Sequence, residues 1–229
     1  MTAHTSGCWP VDSLRTHLSN EEFLHALCGA KRPSSGSGFN TREHILEQLV
    51  RSVVANEIGG SELIQPQILG ATLAIAGNSF PLRTRPDVVF RLNGGFHIGE
   101  VKSGRVDDNR MQRVVGKAVG EHLAAIGHAG QPPWEVEQDL IKILKFGSLS
   151  ASVYSTALLL VDAYQGSGHS WARIFASKEK FVATMRTAFI RDRADRLLSA
   201  TEILPITTPS IRANFIVCVI EAPSNQRAA

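Results

Sequence analysis

With 229 residues, 43% of them hydrophobic, the chain can bury a substantial core, and one compact domain with appendages is expected. A formal net charge of +3 excludes a strongly polybasic or polyacidic protein, so any contact with nucleic acid must come from local clusters. An aromatic content of 7% argues against a base-stacking platform for single strands.

Cys8, Cys28 and Cys218 are odd in number, far apart and in no Cys/His ligand spacing, which reads as reduced thiols. No basic segment followed by an apolar core opens the chain, and no apolar run is long enough to span a membrane. A soluble, cytoplasmic protein without membrane contact is expected.

In chain order, residues 1–10 read as irregular. Val11, Leu14 and Leu18, then Phe23, Leu24 and Leu27, predict one or two short helices broken near Ser19 and Asn20, either of which would cap the second. Pro33 and the Ser-Ser-Gly-Ser-Gly run make 31–39 a flexible linker. Residues 1–39 are thus expected to be a helical appendage with its linker, 40–222 the core domain and 223–229 a disordered tail.

A helix capped by Asn40 or Thr41 is predicted to run to about Glu57, with Ile45, Leu46, Leu49, Val50, Val53 and Val54 as its buried stripe. Glu43 and Glu47 lie one turn apart beside that stripe, and Arg51 stands four residues after Glu47, a spacing that suits an ion pair. Residues 67–77 alternate weakly and read as the first strand of the sheet.

The most informative stretch is 85–104. Val88, Phe90 and Leu92 alternate with Val89 and Arg91, and Asn93-Gly94-Gly95 follows, so a strand enters a tight turn. On the returning strand Phe96, Ile98, Glu100 and Lys102 share one face. If Asn93-Gly94 is a two-residue type I′ turn, Leu92 pairs with Gly95 and Asp87 lies opposite Glu100; if Gly94-Gly95 is the turn, Asp87 faces Lys102. Either register puts two carboxylates and an ammonium on one face, at roughly 5 Å between directly opposed Cβ atoms. Asp87 and Glu100, with the carbonyl of Val101 nearby, suit a hard cation, Mg²⁺ or Mn²⁺. Lys102 could orient the nucleophile and offset transition-state charge, which implies phosphodiester hydrolysis. Gly99 and Gly104 bracket the acid and the lysine and would leave room for a phosphate or a backbone to approach.

Pro86-Asp87, a spacer and Glu100-Val101-Lys102 resemble the signature of the PD-(D/E)XK nuclease superfamily, over a pattern of elements from about Thr41 to Gln165. The resemblance implies that Asp87 and Glu100 hold the metal and that Lys102 assists the nucleophile. It also implies an acid from the preceding helix, for which Glu47 is chosen over Glu43 because core positions flank it. A glutamine in the following helix supports the site in some branches, and Gln112 would serve here. The tyrosine that accompanies it in the exonuclease branch is absent, Gly116 standing in its place, and no four-cysteine cluster exists for the iron–sulfur variant.

That following helix is predicted from about Asp107 to Gly127. Arg110, Arg113 and Lys117 form a basic face on it, able to track a phosphate backbone together with Arg83, Arg85 and Arg105. After Pro132-Pro133 a short helix is expected from Glu135 to Phe146. The continuous apolar run from Thr156 to Tyr164 predicts a strand buried on both faces. A long amphipathic helix over 178–199 and a last strand from Asn214 to Glu221 complete the chain.

The order predicts an α/β (α+β) domain with a mixed central β-sheet, a catalytic hairpin and helices on both faces. The function expected is that of a Mg²⁺- or Mn²⁺-dependent nuclease acting on double-stranded DNA, with a homodimer left open. Its rivals are an inactive nuclease-fold module that binds nucleic acid or protein, and a regulatory or immunity-type protein without nucleic-acid binding.

Overall fold

The computed structural model describes residues 8–29, 41–58, 62–64, 67–69, 72–75, 78–81, 86–103, 135–146, 152–165, 176–183 and 188–222. Its centre is a six-stranded mixed sheet. The strands are β1 (Glu62–Leu63), β5 (Val88–Leu92), β6 (Gly95–Ser103), β7 (Val153–Gln165), β9 (Ile211–Glu221) and β8 (Thr201–Thr207), in that spatial order. Among the described strands only β6 and β7 run parallel. A parallel pair needs a crossover connection, and this one carries a helix, α4 (Glu135–Phe146), onto the sheet beside β6 and β7. The expected α/β architecture is therefore the one observed.

Alternation along β7 divides the core. Ala157, Leu159, Val161 and Ala163 face one way, packing with α1 (Val11–Leu18), α2 (Glu21–Gly29) and α3 (Thr41–Glu57). Leu158 and Leu160 face the other way, against α4, α5 (Lys178–Ala183), α6 (Ala188–Arg191) and α7 (Ala194–Ala200). Both faces of the strand are covered, which is why its apolar run is unbroken.

Residues Val11, Leu14 and Leu18, and then Leu24 and Leu27, are the buried positions of α1 and α2. The break between them is fixed by Asn20, whose Oδ1 accepts the Phe23 N–H at 3.1 Å as an N-cap. These helices are not an appendage: with Trp9 they belong to the same apolar cluster as α3, β7 and β9. Short amphipathic helices separated by a polar, glycine-rich segment look detachable in sequence, but nothing in that pattern reveals what their apolar stripes cover.

Three further expectations change. Residues 67–69, 72–75 and 78–81 form β2, β3 and β4 of a separate antiparallel sheet, and the edge of the main sheet beside β5 is the two-residue β1. A weak period-2 pattern marks strands without saying which sheet they join. The long helix over 178–199 is interrupted at Asp192-Arg193, where Arg193 N–H bonds the Ile190 carbonyl at 3.0 Å and its guanidinium takes the Phe189 carbonyl at 3.1 Å. The apolar spacing continues through that turn, so periodicity alone does not register it. Finally, β8 precedes the expected last strand. Pro205 sits within it, tolerated because β8 is the sheet edge.

Among the described residues no helix is long and apolar enough to cross a membrane. The three cysteines form no disulfide with one another.

Candidate active site

Asn93 (φ 53°) and Gly94 (φ 82°) both have positive φ, the requirement of a type I′ turn. Leu92 pairs with Gly95 and Val88 with Gly99. Of the two registers, the one that sets Asp87 opposite Glu100 is therefore realised, and the Asp87 N–H donates to the Gly99 carbonyl at 3.1 Å. The Asp87 Oδ2 accepts the Val101 N–H at 2.7 Å. Val101 thus fixes Asp87 through its backbone while its side chain is buried in the core on the helix α3 side.

Glu100 and Lys102 share the α4 face of β6, and two helices complete their surroundings. From α3, the Glu43 carboxylate receives the Lys102 ammonium at 3.3 Å (Oε1) and 3.2 Å (Oε2). From α4, Lys142 Nζ lies 2.9 Å from Glu100 Oε2 and 3.1 Å from Asp139 Oδ1. Asp139 Oδ2 stands 3.7 Å from Lys102 Nζ. The result is a chain of alternating charge: Glu43, Lys102, Asp139, Lys142, Glu100.

Glu47, the acid preferred on sequence grounds, takes a different ion pair, although its charge still bears on Asp87. It pairs with Arg51 at 2.9 Å, and Arg51 also donates to the Asp87 carbonyl oxygen. Glu43 is the α3 acid that meets the lysine. Neighbouring core positions do not decide which acid of an amphipathic helix reaches a partner, because that depends on how the helix crosses the sheet. Asp139 and Lys142 escaped the sequence reading altogether. Their only signal was a charged i,i+3 pair on an amphipathic helix, with Asp139 beside Leu140.

Gly99 also has another explanation. A Cβ there would lie 2.5 Å from the Trp9 ring, so the glycine makes room for an indole. Gly104, Arg83, Arg85, Arg105, Arg110, Gln112, Arg113, Gly116 and Lys117 lie outside the described residues.

The electrostatics are those of a crowded acidic cluster. Burial lifts Asp87 to about 6, partly opposed by the Val101 N–H and reinforced by Asp139. Burial likewise lifts Glu43 to about 7 against the pull of Lys102, with Asp139 and Asp87 adding to the rise. Glu100 is pushed well above the usual carboxylate range, again by burial first. For Lys142 burial works against the charge, yet Glu100 and Asp139 outweigh it and hold the ammonium above its ordinary range. Fully ionised, the four carboxylates Glu43, Asp87, Glu100 and Asp139 meet two ammonium groups, Lys102 and Lys142. Among these described residues two negative charges are left over, a deficit that protons or a divalent cation would fill.

The donor chemistry suits a hard cation. Glu100 Oε1 and Asp139 Oδ2 are buried and, among the described residues, accept no hydrogen bond, which is costly unless something else engages them. Among the described residues no three Asp, Glu, His or Cys side chains are already grouped as a coordination shell; the Lys142 ammonium is bonded to Glu100 and Asp139.

Compared with protein-family models, with curated proteins and with solved structures, the chain has no match.

Proposed function

We propose that this chain is a Mg²⁺- or Mn²⁺-dependent nuclease of the PD-(D/E)XK type that hydrolyses phosphodiester bonds of double-stranded DNA. The observation that carries the reading is the opposition of Asp87 and Glu100 across a type I′ hairpin, with Lys102 on the Glu100 face and held by an acid from the preceding helix.

In this reading Asp87 and Glu100, assisted by the Val101 carbonyl, hold the ion. When bound, a divalent ion supplies Lewis-acid polarisation of the phosphoryl group and a more acidic water. The chain's own residues do the rest. Lys102, its ammonium oriented by Glu43 and Asp139, offsets the negative charge that builds on the phosphoryl oxygens as the attacking oxygen closes in. Glu43 keeps that ammonium in place. Arg51, through the Asp87 carbonyl, ties α3 to the strand that carries the acid. Arg83, Arg85, Arg105, Arg110, Arg113 and Lys117 are assigned to the DNA backbone and Gln112 to support of the centre, on sequence grounds alone. A homodimer working in the cytoplasm, one centre per strand, would fit a duplex substrate.

The test is cleavage of supercoiled plasmid with Mg²⁺, with Mn²⁺ and with EDTA, for the wild type, Asp87→Asn and Glu100→Gln. Cleavage that needs the metal and both acids supports the proposal. Duplex binding without cleavage would favour a binding module, and neither binding nor cleavage a protein that does not act on nucleic acid.

A further inference from the structure

We propose that Lys142 is a built-in counter-cation that competes with the divalent ion for Glu100 and thereby sets how weakly the centre holds its metal. The inference rests on the metal-dependent reading above, and it concerns a residue outside the hairpin motif.

Lys142 comes from α4, 42 residues beyond Glu100, yet its ammonium is 2.9 Å from the Glu100 Oε2. In that position it supplies positive charge to the carboxylate a cation would use. The ammonium also has a second seat. Asp139, one turn earlier on the same helix, accepts it at 3.1 Å. If an ion takes Glu100, Lys142 can withdraw onto Asp139 by a side-chain rotation, without moving the helix and without becoming an unpaired buried charge. The other Glu100 oxygen, Oε1, is buried and accepts no hydrogen bond from any described residue. An ion can therefore engage the carboxylate at Oε1 before the ammonium has left Oε2, so exchange need not pass through a bare carboxylate.

The competing explanation is an ordinary buried ion pair that pins α4 to β6. The two differ in sign. A pinning pair, once broken, disorders Glu100 and weakens or leaves unchanged its hold on a metal. A counter-cation, once removed, leaves Glu100 with more unbalanced charge and strengthens that hold.

The experiment is titration of the full chain with Mn²⁺ in the absence of DNA, following the free ion by electron paramagnetic resonance. The proteins are the wild type, Lys142→Met, Lys142→Gln and Lys142→Arg. Methionine keeps the packing of the stem, glutamine keeps a hydrogen-bond donor for Asp139 should the methionine variant fold poorly, and arginine keeps the charge. The neutral variants should bind Mn²⁺ about tenfold or more tightly than the wild type, the effect of deleting one adjacent charge in a partly buried site. The arginine variant should stay near the wild type, and Mn²⁺ should raise the melting temperature of the neutral variants more than that of the wild type.

Unchanged or weaker binding in both neutral variants, with the wild type binding, would overturn the inference and leave the metal-dependent reading standing. No Mn²⁺ binding by any of the four proteins would overturn both. Binding by the neutral variants alone would uphold the inference.

Discussion

The two faces of β6 solve the same problem in opposite ways. Toward α1–α3 the strand presents His97, Gly99 and Val101. The His97 Nδ1 is 2.7 Å from the Ser155 hydroxyl, which also accepts the Trp9 indole N–H at 2.9 Å, and the imidazole stacks on Phe90. Ser155 can accept from the indole while giving its own proton to the imidazole Nδ1, and the imidazole Nε2 lies 3.4 Å from the Leu92 carbonyl, so each polar group in the line has a partner. Toward α4 the alternate residues Ile98, Glu100 and Lys102 face a cluster that, among the described residues, has more acids than bases and holds buried oxygens that accept no hydrogen bond. A satisfied buried network is what a fold needs. An unsatisfied one persists only where the rest of the structure over-determines it, which makes it the better place to look for chemistry.

The largest effect should come from breaking the satisfied face. Trp9→Ala removes a buried ring that stands edge-on to Phe90 and fills the space over Gly99. A loss of about 3–5 kcal/mol is expected in urea denaturation, typical of a buried aromatic truncated to alanine. On the opposite face, under the proposed nuclease reading, Lys102→Ala should leave the fold intact and lower the cleavage rate by about 10²–10³-fold, the cost of one preorganised charge aimed at the transition state. Duplex binding measured by fluorescence anisotropy should change little. Equal losses of rate and affinity would mark Lys102 as a simple phosphate contact.

The acidic face should also reveal itself through pH. Glu43 rises from an ordinary 4.5 to about 7 and Asp87 from 3.8 to about 6, so the folded protein holds protons there that the unfolded chain has released. Stability of the metal-free protein should therefore fall as pH rises, between about 4.5 and 7 for Glu43 and between 3.8 and about 6 for Asp87, with the full penalty present above those ranges. For Glu43 the penalty is roughly 3 kcal/mol. Glu43→Gln should flatten the decline, as seen in denaturation midpoints at pH 5 and pH 8. A decline as steep as that of the wild type would mean that Glu43 titrates normally.

How legible this contrast was in the sequence depended on distance along the chain. The hairpin could be read because its turn, its alternation and its acids lie within one continuous stretch, and the I′ geometry at Asn93-Gly94 then dictates that Asp87 meets Glu100. The strand at β7 announced itself by apolar continuity, and the split between α1 and α2 by the capping residue Asn20. What stayed hidden is what distant elements bring together. Trp9 sits 90 positions from the glycine whose identity it explains, and Lys142 reaches Glu100 only because α4 is laid over β6 by the crossover to β7. Periodicity reports which side of an element is buried, and it is silent on the partner.

The smallest expected effect separates the two acids of α3. Glu47 makes a part-exposed i,i+4 pair with Arg51, and such pairs contribute only about 0.3–0.5 kcal/mol. Glu47→Gln should therefore shift stability by less than about 0.5 kcal/mol. It also removes one of the negative charges that raise the Asp87 pKa, the weakest of the named influences on it, so the pH decline should ease slightly in the Asp87 range. Cleavage should fall no more than a few-fold, because Arg51 retains its bond to the Asp87 carbonyl and Lys102 keeps Glu43. Glu43→Gln should cost far more activity, since it withdraws the carboxylate that orients the ammonium. Plasmid cleavage by the two single variants under identical Mg²⁺ would rank them. If Glu47→Gln proved the more damaging, the working acid of α3 would be the one paired with Arg51, and the link from Glu43 to Lys102 would be structural.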